Sequence, residues 1–232
     1  MSAARRAAAG AWMPPPAAVP SAGGFVPAYW DEGCRHLCAR DRVLARLIPQ
    51  YGQACLQSRG DPFTTLARSV VGQQISVKAA QAVWDRLLAA LGAADGVTPA
   101  ALLAAGPEAL RAAGLSARKV EYLFDLARHF DEGRIDPAAW HAMEDEAIIR
   151  ELVAIRGIGR WTAEMFLIFC LLRPDVLPLD DVGLLRGISQ CYFSGEPVSR
   201  SDAREVAAAW APFRSVATWY IWRSLDPIPV AY

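Results

Sequence analysis

Two glycines enclose one aliphatic residue in LVAIRGIGRWTAEMFLIF, the stretch that begins at Leu152. One glycine is enough for a turn, so the second needs its own reason. Glycine permits positive φ and close backbone approach. Helical patterns run into Gly157-Ile158-Gly159 and out of it, so the segment reads as two helices joined by a hairpin. The amides of Gly157, Gly159 and the first turn after them then point outward together. A helix N-terminus of that kind holds a phosphate through N–H donors and the helix dipole. Arg160 and Thr162 stand where they add side-chain donors, and Ile158 where it anchors the turn. Taken alone, the glycine pattern also fits a tight corner between helices with no ligand.

A pair of carboxylates, Asp180 and Asp181, follows in VLPLDDVGLLRG. The pattern predicts one helix from Arg160 to Leu172, roughly 20 Å long at ~1.5 Å per residue. Residues 173–180 reach at most about 26–29 Å. The chain can therefore return both aspartates to the hairpin end of that helix. Capping the next helix, VGLLRGIS, is ordinary work for an aspartate, and one of the pair is expected to do only that.

The elements that must position these groups are helical almost throughout. Leu37, Val43, Leu44, Leu47 and Ile48 recur at helical spacing until Pro49. Ser76 is placed to cap SVKAAQAVWDRLLAAL, which Gly92 ends, and Thr98-Pro99, Gly106-Pro107, Ser116 and Asp136-Pro137 mark further starts. The acidic opening of MEDEAIIRELVAI supplies another. No segment of 20 residues alternates as strands do. The fold class is all-α, with about ten short helices. Residues 1–24, rich in Ala, Pro and Gly, read as a flexible leader ahead of a domain spanning 25–232.

At 232 residues the chain can hold one substantial domain or two small ones, and 53% apolar composition supports a helical core. Its 24 basic and 24 acidic residues cancel, so an anionic partner must be held by a local patch. Lys78 and Lys119 are the only lysines. Five scattered cysteines without a CxxC pair fit a reducing, cytoplasmic setting. Cys34 and Cys38 share a helix face that His36 does not, so they read as buried thiols and not as a metal site. MFLIFCLL is too short to cross a bilayer and reads as a buried helix; no membrane partner is expected.

Leu152 and Ile155, then Gly157-Ile158-Gly159, then Thr162-Ala163 form an array that resembles the DNA-binding hairpin of many repair proteins. The hairpin, a Gly/Pro loop and an aspartate before Val182-Gly183 resemble the helix–hairpin–helix glycosylase superfamily (HhH-GPD). More narrowly, VVGQQIS, GRWTAEMF, PLDDVG and WAPFRSVATWYIW look like bacterial and fungal 3-methyladenine DNA glycosylases of the second, alkylation-repair type, over about residues 60 to 225. That resemblance implies two helical lobes around a base-binding cleft. The central lobe would cover about 60–175 with its hairpin at 152–172, and the second about 25–58 plus 176–232. Nothing before Phe63 matches the β-rich domain of the larger relatives, so the compact form is expected.

The resemblance also implies a reaction. The partner is double-stranded DNA containing alkylated bases; a 3-methyladenine or 7-methylguanine type of base is flipped out and its N-glycosidic bond hydrolysed to leave an abasic site. Asp181 takes the catalytic position, stabilising a sugar cation and orienting or deprotonating water. Trp161, Trp222 and Met165 fall at pocket-wall positions, where an indole face on an electron-poor ring is worth roughly 0.5–2 kcal/mol. In the GQQIS loop Gln74 falls at the position of the wedge that fills the gap left by the base, a role Gln73 could share, with Ser76 capping beside them. Ser76, Lys78, Arg118 and Lys119 join Gly157, Gly159, Arg160 and Thr162 as candidate DNA contacts. Trp161 stands where strand-nicking relatives carry a Schiff-base lysine, so a monofunctional enzyme without lyase activity is expected. No cysteine follows Cys191, so no iron–sulfur cluster is expected. The carbonyls of Val153, Ile155 and Ile158 are candidate ligands for a monovalent cation, and the chain is expected to be a monomer. Two alternatives stand: a catalytically silent hairpin module that only binds DNA, and a glycosylase of this fold for uracil, hypoxanthine or mismatched thymine.

Overall fold

The computed structural model describes residues 18–21, 24–58, 60–93 and 96–225. The described residues form two compact units, one within 61–158 and the other within 18–60 together with 159–225. Eleven α-helices and two short strands carry the described residues.

The second unit begins with strands β1 (Ala18–Ser21) and β2 (Gly24–Pro27), antiparallel with Val19 opposite Val26. Phe25 and Ser58 exchange both backbone hydrogen bonds, at 2.9 and 2.7 Å. The end of the expected flexible leader is therefore ordered strand, its backbone paired across a short hairpin with 24–27, which Ser58 in turn holds through Phe25; residues 1–17, 22 and 23 lie outside the described residues. The helical run before Pro49 is two helices, α1 (Trp30–Arg40) and α2 (Arg42–Leu47). Asp41 breaks it with an extended backbone and caps α2, Oδ1 accepting the amides of Val43 and Leu44 at 2.8 and 3.0 Å. Its Oδ2 accepts the Tyr192 hydroxyl at 2.7 Å and Trp210 Nε1 at 2.9 Å.

The first unit holds α3 (Pro62–Gly72), α4 (Val77–Leu91), α5 (Pro99–Ala112), α6 (Ala117–Asp131) and α7 (Asp145–Val153). Side chains of Asp61, Ser76, Thr98 and Ser116 cap the first four, each such cap being worth about 1 kcal/mol. Gly92, at φ +61°, ends α4, and Gly106, at φ +77°, breaks α5 before Pro107. Asp136-Pro137 starts no α-helix. Asp136 instead accepts the Ala138 amide at 3.0 Å and the chain makes one 3-10 turn, Trp140–Ala142. The buried Trp140 donates to Glu151 there, and that tertiary contact overrides the local start signal.

The second unit resumes with α8 (Arg160–Phe169), α9 (Val182–Tyr192), α10 (Arg200–Val206) and α11 (Arg214–Leu225). Every residue of α8 from Thr162 to Phe169 is buried, as the apolar run predicts. The helix is shorter than expected: Leu172 sits at φ +52°, and the amides of Leu171 and Arg173 fold back onto the carbonyls of Phe166 and Leu167. Gly187 lets α9 and α11 approach closely; a Cβ there would lie 2.4 Å from Ile221 Cγ2. The units divide at Ile158–Gly159, so α8 belongs to the second, whereas the resemblance implied a border near 175. No described helix is long and apolar enough to cross a membrane.

Candidate active site

Asp181 is the N-cap of α9, its Oδ1 accepting the Leu184 amide at 2.6 Å. The same oxygen accepts Trp222 Nε1 at 2.8 Å, and Oδ2 accepts Trp161 Nε1 at 2.7 Å. Two indoles, twenty residues upstream and forty-one downstream, thus converge edge-on upon one half-buried carboxylate. The loop after α8 does return the aspartates to the first turn of that helix. The division of labour differs from expectation: the residue that caps α9 is Asp181 itself, while Asp180 is exposed and pairs with Arg200 at 2.6 Å.

Each partner has a reason to be where it is. Arg214 grips Asp175 with two 2.7 Å bonds, and Ser215 Oγ donates to the Arg173 carbonyl while accepting the Val176 amide. These bonds fix the start of α11. Trp222 follows Ser215 by seven residues, close to two helical turns, and so lies on the same face. Its ring stacks on Phe169 of α8, centroids 5.7 Å apart and planes 12° from parallel. Gly183 clears the approach, since a Cβ there would lie 3.0 Å from Asp181 Oδ1 and 3.4 Å from Trp222 Cδ1. Trp161 retains 37% of its surface, which leaves an indole face available to a ligand. Met165, one turn along α8, is 5% exposed and sits in the core beneath.

At the hairpin the two glycines separate in role. Gly157 takes φ +84°, and a Cβ on it would lie 2.2 Å from the Tyr122 ring, so the fold itself demands glycine. Gly159 has an ordinary φ of −93° and a Cβ there would meet nothing. It is the N-cap of α8, and no side chain caps that helix, in contrast to α3, α4, α5, α6 and α9. Ile158 is buried as the anchor. Arg160 is exposed and pairs with Glu164 at 2.9 Å; Thr162, 7% exposed, offers little surface as a donor.

The GQQIS loop belongs to the first unit. Gln73 Nε2 donates to the Gly157 carbonyl at 2.8 Å, so this side chain is committed to the hairpin and only Gln74 projects freely. Gln74 holds a positive φ of +59° and is exposed, as are Ile75 and Val77. Ser76 caps α4 through the Ala79 amide at 3.2 Å, and Lys78 lies exposed on its first turn. Lys119 is spent on structure: Nζ donates to the Val71 carbonyl at 2.7 Å, and burial lowers its pKa. Arg118 beside it is exposed. Cys34, Cys38, Cys55 and Cys191 are half-buried and only Cys170 is buried, a correction to the reading of Cys34 and Cys38 as buried thiols.

Residues 67–212 match the HhH-GPD superfamily of base excision DNA repair proteins. The chain belongs to that superfamily. It is 33% identical over 194 residues to DNA-3-methyladenine glycosylase 1 of Schizosaccharomyces pombe, covering 82% of this chain and 85% of that one. Among solved structures it is similar to a DNA-3-methyladenine glycosidase of Bacillus halodurans, at 39% identity and a TM-score of 0.78 over 84% of this chain and 89% of the other. It is also similar to the 3-methyladenine DNA glycosylase of S. pombe in complex with abasic DNA, at 30% identity and a TM-score of 0.75 over 87% and 98%. In this HhH-GPD chain, sequence reasoning missed two supports of Asp181, namely Phe169 behind Trp222 and Gly183 beside the carboxylate, and within the first unit it missed Tyr122 over Gly157. Only Gly183 carried a signal, as a glycine inside the first turn of a helix, where it costs stability unless something approaches closely.

Proposed function

We propose that this protein is a monofunctional alkylpurine-DNA glycosylase of base excision repair. The observation that carries the reading is the Asp181 carboxylate, fixed at the start of α9 with an indole on each oxygen. A base inside duplex DNA is out of reach of any side chain, so the nucleotide must rotate out of the stack. Breaking its bond to the sugar builds positive charge on C1′, which an ionised carboxylate stabilises while orienting water. Alkylated purines are electron-poor and leave readily, so the enzyme needs aromatic faces more than a general acid. Trp161 and Trp222 supply those faces, with Met165 supporting them from the core.

The names of the relatives support the same substrate class, 3-methyladenine. Gly159, a bare N-cap with open space around it, suits the approach of a phosphate oxygen to the start of α8. Gln74 serves as the wedge, and Lys78 and Arg118 add local positive charge. The carbonyls of Val153, Ile155 and Ile158 would hold a monovalent cation; that of Ile155 already accepts the Ile158 amide at 3.1 Å and keeps one lone pair for it. Absence of lyase activity is supported by Trp161 at the position of the lysine and by the engagement of the Lys119 amine with Val71.

Free-base release from methylated duplex DNA, measured for the parent and Asp181→Asn, tests the reading. Release is expected from the parent alone; equal release by both removes Asp181 from the chemistry, and no release by either leaves a DNA-binding module. Comparing 3-methyladenine, 1,N6-ethenoadenine and uracil duplexes separates the substrate classes.

A further inference from the structure

We propose that Trp161 and Trp222 are positioning residues whose indole N–H groups decide which oxygen of Asp181 meets the substrate, Oδ1 being the anchored oxygen and Oδ2 the reacting one. This rests on the glycosylase reading and adds to it an edge function for rings otherwise read as faces.

A carboxylate oxygen accepts about two hydrogen bonds. Oδ1 of Asp181 holds two, from the Leu184 amide and Trp222 Nε1. Oδ2 holds one, from Trp161 Nε1, and keeps a lone pair free. Asp41 in the same unit shows what the closed version looks like. It too is a helix N-cap, but its Oδ1 holds two backbone amides and its Oδ2 both a tyrosine hydroxyl and an indole N–H, and it is 8% exposed. Asp41 is saturated; Asp181 lacks one donor, on Oδ2.

Indole nitrogen donates and cannot accept. It therefore holds the carboxylate without exchanging a proton with it. Donors on opposite oxygens block rotation about the Cβ–Cγ bond, which would otherwise swap Oδ1 for Oδ2. Small displacements of a reacting group are costly, with an error near 1 Å removing about a hundredfold in rate. The two roles of each tryptophan are separable, because phenylalanine keeps an aromatic face and deletes the N–H.

The test uses the full chain carrying Trp161→Phe or Trp222→Phe, assayed on duplex DNA containing 7-methylguanine. Each substitution is expected to lower kcat on the order of tenfold or more, since a hydrogen bond to a charged group is removed, while KM stays within about threefold. A retained kcat with the loss confined to KM overturns the proposal, because a plain aromatic wall behaves that way. Trp161 is surface-accessible, so its variant keeps the test open if Trp222→Phe unfolds. A second measurement needs no activity. The indole N–H resonances of Trp161 and Trp222, assigned from the two variants, are expected to lie downfield and to shift upfield in Asp181→Ala; unmoved resonances overturn the proposal. Free-base release that survives in Asp181→Ala would instead remove the glycosylase reading beneath it.

Discussion

The Gln73 carboxamide donates to the Gly157 carbonyl at 2.8 Å, tying the turn after α3 to the hairpin eighty-four residues away. Its neighbour Gln74 is bound to nothing comparable and sits in the left-handed region at φ +59°. Adjacent glutamines thus have opposite stability signatures. Gln73→Ala is expected to lower stability by about 1 kcal/mol, the worth of one neutral hydrogen bond. Gln74→Gly is expected to raise it by about 0.5–1 kcal/mol by relieving left-handed strain, yet to weaken binding to lesion-containing DNA. Urea denaturation and duplex binding measured on both variants check the pair; a destabilised Gln74→Gly would contradict it.

The hairpin glycines should part in the same way. Gly157→Ala combines a positive φ with a collision against Tyr122, and should cost about 2–4 kcal/mol. Gly159→Ala has an allowed backbone and open space. It should melt with the parent protein while its affinity for duplex DNA falls on the order of tenfold, about 1.4 kcal/mol. An unchanged affinity would detach the phosphate from Gly159.

Asp181→Asn keeps an oxygen to cap α9 but removes the charge. Its melting temperature is expected within a few degrees of the parent, with base release lost, because side-chain amides cap helices about as well as carboxylates. Asp180→Asn breaks only the exposed pair with Arg200, which is worth about 0–1 kcal/mol, and should leave catalysis alone. Thermal melts beside single-turnover rates decide both.

Alkaline conditions should unfold the protein early. Burial raises the thiols of Cys34, Cys38 and Cys55 above their ordinary 9.0. Burial, then the contact with Asp41, raises the Tyr192 phenol above its ordinary 10.0, and burial does the same to Tyr220. In the window above those ordinary values the unfolded chain gives up protons that the folded chain keeps. The folded state then binds more protons, so stability is fully present below about pH 9 and falls as pH climbs past it. Melting temperatures from pH 7 to 11 should be flat and then decline, and Tyr192→Phe should decline less steeply from a lower starting point.

How much of this could be read in the chain depended on whether the cause was local. Ser76, Thr98 and Ser116 announce their helices because capping is a matter of neighbouring residues. The return of Asp181 to the start of α8 was open to the sequence as a matter of reach, which permits it without dictating it. The anchoring of Phe25 on Ser58 and the failed helix at Asp136-Pro137, which turns on the burial of Trp140, are set by contacts that no local pattern contains. Within the site, residue types were legible but their orientation was not. Trp161 and Trp222 read as ring faces, whereas the structure shows that their nitrogens also grip the carboxylate. Lys119 read as a phosphate contact because a lysine on a first helical turn gives no hint that a carbonyl across the bundle claims it.

That last bond has a practical side. With the Lys119 amine occupied on the Val71 carbonyl, Lys78 is left as the one readily acylated side-chain amine among the two lysines of the chain. Mild acetylation followed by mass mapping then becomes a single-point footprint beside the wedge loop, and shielding of that lysine by duplex would report occupancy without any label on the nucleic acid.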